Sequence, residues 1–138
     1  MDQRVRKRLS GKLFIAKKPT ALAARESDIS ASIADYLNAR SIYNVRINSG
    51  RIKTSNGSWV HMAPKGTPDR FALYKGVLLA IEVKRPGETP TKEQIEAHEQ
   101  IEQAGGVVVV AQSIDEVVMA LKRIDEQERQ KSKAQLKL

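Results

Sequence analysis

Two acidic residues and a lysine stand close together in a largely apolar part of the sequence. Asp69 follows Pro68, and Glu82-Val83-Lys84 ends a run of branched apolar residues that begins at Val77. Carboxylate oxygens suit a hard cation such as Mg²⁺, and a cation held by them can lower the pKa of a bound water. A lysine beside them can neutralise charge that develops on a phosphoryl oxygen. This set of residues predicts metal-dependent hydrolysis at phosphorus.

A hairpin would bring the two carboxylates together. Lys75-Gly76 separates the runs 69–74 and 77–84, a spacing typical of antiparallel strands joined by a two-residue turn. In that register Asp69 falls opposite Glu82, with Cβ atoms roughly 5 Å apart on one face. Like charges in such positions repel unless something neutralises them, so we expect a bound cation. The alternative is that the acidic and basic side chains form a cross-strand ion pair and only solvate the sheet.

Alternation along the second strand puts Lys84 on the face of Glu82 and leaves the other face for the core. That core face consists of Val77, Leu79, Ile81 and Val83. The flanking segments predict a mixed sheet with helices packed on it, in the order α-β-β-β-β-α-β-α. The first is a helix over about 21–40, with an inward stripe of Ile29, Ile33, Tyr36 and Leu37, followed by strands over 42–48 and 59–62. After the hairpin we expect a helix over 91–104, a parallel strand buried on both faces over 107–111, and a helix from 114 to at least 124.

The 138 residues carry a net charge of +8, and this charge is unevenly placed. We expect a basic N-terminal arm over residues 1–18, one domain over 19–124 and a basic, mobile C-terminal tail over 125–138. Residues 40–85 hold nine basic side chains, and their only acids are Asp69 and Glu82. A positive block around two carboxylates predicts a polyanionic partner that is gripped through its phosphates. Because only 4% of the residues are aromatic, a platform that stacks successive bases is not expected.

Several classes of protein are excluded by what the sequence lacks. It has no cysteine, which excludes disulfides, thiolate zinc sites and a cysteine nucleophile. No apolar run approaches the roughly 20 residues of a membrane span and no secretory run follows the basic start, so we expect a cytoplasmic protein without a membrane partner. No glycine-rich phosphate loop is present, which argues against a nucleotide cofactor. His61 and His98 stand isolated, and we expect surface or packing roles for them.

Four short segments, taken in order along the chain, resemble the VRR-NUC branch of the PD-(D/E)XK nuclease superfamily. They are Arg46-Ile47-Asn48-Ser49-Gly50, Lys65-Gly66-Thr67-Pro68-Asp69, Ile81-Glu82-Val83-Lys84 and Gln94. The resemblance covers roughly residues 22–121, and the branch includes small stand-alone phage and bacterial proteins. It implies a restriction-endonuclease-like core, α-β-β-β-(β)-α-β, with a mixed central sheet flanked by helices.

The same resemblance assigns roles to individual residues. It implies that Asp69, Glu82 and Glu26 are metal ligands and that Lys84 is the catalytic lysine. It also implies that Gln94 lines the active site. Asp28 competes with Glu26, although its helical phase suits the surface better. Gln94 also fits a capping box with Thr91, and one side-chain amide is not expected to serve both places fully. The predicted DNA-binding residues are Arg46, Asn48, Ser49, Arg51, Lys53, Lys65 and Arg85, with ordinary turn chemistry as the alternative for Asn48 and Ser49.

The function implied is a Mg²⁺- or Mn²⁺-dependent endonuclease that hydrolyses DNA phosphodiester bonds. The resemblance implies structured or branched DNA as the substrate, in replication, recombination or repair. A homodimer is expected as well, because cutting two strands needs two sites. A second hypothesis is a non-catalytic DNA-binding or assembly module that has kept the fold. A third, membrane-surface binding through the basic ends, lacks an amphipathic helix with bulky apolar residues.

Overall fold

Three helices and six strands make up residues 24–137, the part of the chain that the computed structural model describes. The predicted basic arm over residues 1–18 lies outside these residues. In chain order the elements are α1 (Glu26–Ala39), β1 (Tyr43–Arg46), β2 (Arg51–Lys53), β3 (Trp59–His61), β4 (Arg70–Tyr74), β5 (Val77–Val83), α2 (Lys92–Gln103), β6 (Val107–Ala111) and α3 (Ile114–Leu136). Among the helices of this range, none combines the length and the apolar character that a membrane span requires.

Four strands form one mixed sheet, and the other two form a separate ribbon. The sheet order is β1-β4-β5-β6, in which β6 runs parallel to β5 and the other neighbours are antiparallel. The predicted mixed α/β class and the parallel pairing of residues 107–111 are therefore confirmed. Val107–Val110 are half-buried rather than buried on both faces, because β6 lies at the edge of the sheet.

The β4–β5 hairpin has the predicted register. Tyr74 pairs with Val77, and the ladder continues without a bulge to Arg70 and Ile81. Lys75 and Gly76 both have positive φ, at 49° and 76°, as the two-residue turn of a right-twisted hairpin requires. Lys75 also forms an ion pair of 2.5 Å with Asp125 of α3, which ties the turn to that helix.

The core lies between the sheet and two of the helices. On the sheet, the predicted core face of β5 contributes Leu79, Ile81 and Val83. Helix α1 packs the predicted stripe Ile29, Ile33 and Leu37 against this face, and α3 adds Val117, Ala120 and Leu121. Helix α2 lies on the opposite face, where Glu82 points. The sheet therefore separates an apolar core from a polar site under α2.

The main differences from the prediction are three element ends and one additional strand. Helix α1 begins at Glu26, and β1 ends at Arg46 instead of Asn48. Arg51–Lys53, which the turn signals around it concealed, pairs with Trp59–His61 as a two-stranded ribbon. Helix α3 continues to Leu136 through residues assigned to a tail, because 125–136 are rich in Glu, Gln, Lys and Arg and contain neither Gly nor Pro.

Candidate active site

Asp69 and Glu82 lie side by side at one end of the β4–β5 hairpin. Asp69 Oδ2 accepts a hydrogen bond of 2.7 Å from the backbone N–H of Val83, which draws its side chain across to β5. The carboxyl group of Glu82 lies close enough to Asp69 for the charge of Asp69 to raise its pKa, and Glu82 is only 1% exposed. The hairpin register thus brings the two acids together, with Glu82 buried and Asp69 half-buried.

Two side chains of α2 hold the carboxyl group of Glu82 from the other side. Gln94 Nε2 donates to Glu82 Oε1 at 2.9 Å, and His98 Nε2 lies 3.4 Å from Glu82 Oε2. Gln94 Oε1 meanwhile accepts from the backbone N–H of Thr91 at 2.9 Å, so the capping box is also present. The expectation that one amide could not serve both places is wrong, since its oxygen caps the helix and its nitrogen reaches the acid.

His98 is buried, as a packing role requires, but it also contacts Glu82, and the sequence analysis missed this contact. Its ring is buried, and this burial lowers the pKa of His98; the charge of Glu102 opposes the change, and Lys84 adds a smaller lowering effect. A signal for this role exists in the sequence. His98 follows Gln94 by four residues on a helix, and that spacing puts both side chains on one face.

The electrostatics of the site follow from burying carboxylates near one another. Burial, and then the charge and hydrogen bond of Asp69, raise the pKa of Glu82 to about 8. Lys84 opposes this rise, and Glu26 adds to it. Without a cation, Glu82 therefore holds a proton at neutral pH.

Glu26 and Lys84 lie near the carboxylate pair, and Glu88 is a further acid beside Glu26 that the sequence analysis did not single out. Burial raises the pKa of Glu26, as do a hydrogen bond and charge from Glu88 and the charge of Asp69, whereas Lys84 lowers it. Glu88 in turn pairs with Arg85. Within residues 24–137, no three His, Cys, Asp or Glu side chains converge closely enough to hold a metal ion by themselves. Glu26 therefore lies near the pair as a neighbouring charge, and its predicted role as a ligand stays a prediction.

The loop before Asp69 is anchored to the start of α2. Gly66 has φ +90°, and a Cβ atom on it would lie 2.3 Å from the carbonyl oxygen of Glu93. Lys65 adds an ion pair of 2.9 Å to the side chain of Glu93. Only glycine allows this close approach, so the loop that carries Asp69 and the helix that carries Gln94 are fixed to each other.

The predicted DNA-binding residues fall into three groups. Arg46, Asn48 and Ser49 line a cavity of about 340 Å³ together with Asp69, beside the carboxylate pair. Arg51 and Lys53 are exposed on the ribbon. The remaining two, Lys65 and Arg85, form exposed ion pairs with Glu93 and Glu88. Exposed pairs of this kind contribute little and exchange readily for a phosphate, so they do not exclude contact with DNA.

The donor set suits a hard divalent cation. Mg²⁺ is usually held by one or two carboxylates, with water and substrate phosphates in its other positions. Asp69 and Glu82 supply two adjacent oxygen donors, and burial together with the charge of Asp69 raises the pKa of Glu82. A cation between them would offset both the burial of Glu82 and the charge of Asp69, so these residues suit a divalent metal ion.

The comparisons with known proteins give no family for the chain. No protein-family model matches the sequence, and no curated protein is similar enough to count as a relative. What the fold and the site define is therefore a class: a mixed α/β protein with a carboxylate pair, a lysine and a helix-borne Gln-His pair at the end of a central strand.

Proposed function

We propose that this protein is a Mg²⁺- or Mn²⁺-dependent endonuclease of the PD-(D/E)XK type, related to the VRR-NUC branch, that hydrolyses DNA phosphodiester bonds. The observation that carries the proposal is the proximity of Asp69 to the buried Glu82 at the end of the hairpin. A carboxylate pair with a raised pKa costs stability and is uncommon outside functional sites. Lys84 stands two residues beyond Glu82, which completes the arrangement that the sequence motif describes.

The topology supports the same reading of the motif. An antiparallel hairpin bears the Asp and the Glu-Val-Lys segment, and α2 leads from β5 to the parallel strand β6. This order of elements, with α1 packed on the sheet, is a mixed α/β arrangement and supports the proposal. The fold alone hosts many functions, so the site residues carry the weight of the proposal.

Each residue of the site has a physical task. Asp69 and Glu82 would hold the cation, while Gln94 and His98 keep the carboxyl group of Glu82 in one orientation. When bound, the cation supplies positive charge to the phosphoryl oxygens and makes a nearby water more acidic. Lys84 places a further positive charge beside the pair, where it can neutralise charge that develops on the phosphate.

The surroundings favour a nucleic-acid substrate. Arg46 lines the cavity that includes Asp69, and the segment 40–85 has nine basic side chains against two acids. Such a surface binds phosphates without reading bases. We include in the proposal a preference for structured or branched DNA and a homodimer, since one site per chain can cut only one strand at a time.

A cleavage assay tests the proposal. Labelled linear duplex, fork and four-way-junction DNAs are incubated with the protein in Mg²⁺, Mn²⁺ or chelator. We expect cleavage that requires the metal, no detectable product with Asp69→Ala, and a rate about 100-fold lower with Lys84→Ala. Asp35→Ala and Lys122→Ala are matched controls, because both side chains are exposed and make no contact in the site.

The outcomes separate the proposal from its rival. Equal cleavage by the wild type and both site variants would show that the assigned site is not the active site. Tight DNA binding without product in either metal would favour the non-catalytic DNA-binding module instead.

A further inference from the structure

The ribbon of β2 and β3 presents two unlike faces. Its register pairs Arg51 with His61, Ile52 with Val60 and Lys53 with Trp59. Because side chains alternate along a strand, Ile52 and Val60 share one face. The other, which we name the basic-aromatic face, carries Arg51, Lys53, Trp59 and His61. All of these side chains are exposed, so the basic-aromatic face is open to a ligand.

The tip of the ribbon is closed by its own hydrogen bonds. The backbone N–H of Thr54 donates to the carbonyl of Ser58 at 2.8 Å, and Gly57 supplies a positive φ of 85°. Asn56 Oδ1 accepts from the backbone N–H of Ser58 at 3.0 Å. The ribbon is therefore a shaped element and not an irregular loop.

Both ends of the ribbon segment meet at the candidate active site. The backbone N–H of Ile47 donates to the carbonyl of Asp69 at 2.8 Å, which clamps the start and the end of residues 48–68 together. Asp69 is also the first carboxylate of the site. The ribbon therefore leaves the sheet beside the carboxylate pair, where it can contact DNA that is held there.

Trp59 is exposed and lies beside a cationic side chain. The guanidinium carbon of Arg51 lies 5.8 Å from the centroid of the indole, within the range of a cation–π contact. Even so, 62% of Trp59 is exposed. An exposed aromatic ring beside cationic side chains is the arrangement on which nucleic-acid bases stack in single-strand-binding proteins.

The charge of the segment indicates the kind of partner. Residues 47–68 include Arg51, Lys53 and Lys65 and no Asp or Glu. A surface of this composition attracts a polyanion and repels a basic one. The low aromatic content argues against a platform that stacks successive bases, but a single indole can stack on a single base.

We infer that the basic-aromatic face of the ribbon binds DNA beside the site, with Arg51 and Lys53 on backbone phosphates and Trp59 stacked on an unpaired base. This inference rests on the proposed function, because it takes the DNA at the carboxylate pair as the molecule that the ribbon contacts. It adds a device by which the protein distinguishes DNA with unpaired bases from a continuous duplex.

The chain itself provides the probe, since Trp59 is its only tryptophan. The full-length protein is titrated in chelator, so that no cleavage occurs, with a blunt duplex and with the same duplex carrying a single-stranded extension. We expect quenching of the tryptophan fluorescence by the extended DNA and much weaker quenching by the blunt duplex, because only the extension offers unpaired bases.

Variants of the ribbon divide the two contributions, with binding followed by the anisotropy of labelled DNA. Trp59→Ala should weaken binding of the extended DNA roughly 5- to 100-fold and leave the blunt duplex nearly unaffected. Trp59→Phe keeps a stacking surface and should recover most of that loss. Lys53→Ala should weaken both DNAs and lower the salt dependence by about one phosphate contact. Ile52→Ala, on the opposite face, is the matched control.

The results distinguish this inference from the nuclease proposal. Absence of quenching, or an equal loss on both DNAs with Trp59→Ala, would overturn the inference even if the protein cleaves DNA. Quenching by the extended DNA without any cleavage in Mg²⁺ or Mn²⁺ would support the ribbon as a binding site and contradict the nuclease.

Discussion

Replacing Glu82 by glutamine should make the metal-free protein more stable than the wild type at alkaline pH. Burial raises the pKa of Glu82 from its ordinary 4.5 to about 8, with added effects of Asp69 and against the charge of Lys84. Between those two values the native state keeps the proton, whereas the unfolded chain has lost it. The free energy of unfolding therefore falls as the pH rises through this window.

The size of the effect follows from the same pKa. From about pH 5.5 to pH 8, at about 1.36 kcal/mol per pH unit, the wild type should lose about 3 kcal/mol of unfolding free energy through this group. Glutamine has the length of glutamate and is neutral throughout. Its amide can accept from Gln94 and donate to Asp69, so the hydrogen bonds of the protonated acid are retained. The variant should not show the loss.

The assay is urea denaturation of both proteins in chelator, at about pH 5.5 and pH 8.5. We expect the stability difference between Glu82→Gln and the wild type to grow by about 3 kcal/mol in favour of the variant. Other titrating groups, His98 among them, are present in both proteins and largely cancel. Excess Mg²⁺ at the higher pH should stabilise the wild type and not the variant, because it binds the native state through this carboxylate. Parallel pH profiles for the two proteins would refute the reasoning.

Two further substitutions test how the site is held. Gly66→Ala should destabilise the protein by at least about 2 kcal/mol in urea denaturation, since it combines a positive φ with a clash against Glu93. Gly57→Ala, with a similar φ and only the flexible end of Lys53 at 4.0 Å from the new Cβ, should cost distinctly less, and equal losses would argue against the clash. His98→Leu should lower Mn²⁺ affinity, measured from the electron paramagnetic resonance of free Mn²⁺, by about 10- to 100-fold, with partial recovery in His98→Gln. An unchanged affinity would mean that His98 does not position Glu82.

The features that the sequence predicts correctly depend on neighbours along the chain. Lys75-Gly76 and the alternation of Val77–Val83 determine the hairpin and its register, because turn geometry and side-chain period are local properties. The stripe of Ile29, Ile33 and Leu37 likewise follows from helical spacing. The hairpin by itself brings Asp69 opposite Glu82, without reference to the rest of the fold.

The features that the sequence does not predict depend on where one element lies against another. The reach of His98 to Glu82 requires α2 to pack on the polar face of the sheet, and nothing in the helix itself specifies that placement. The ribbon escaped prediction because Arg51–Lys53 is short and lies between turn residues, and only its pairing with Trp59–His61 makes it a strand.

The sequence by itself determined which groups could do chemistry, namely two carboxylates and a lysine within a basic segment. Tertiary structure alone decided how strongly those groups perturb one another. Burial under α2 turns Glu82 from an ordinary acid into one with a pKa of about 8, because desolvation and the charge of Asp69 both act through space. The sequence specifies the types and spacing of the side chains, whereas the burial of each side chain is a property of the folded molecule.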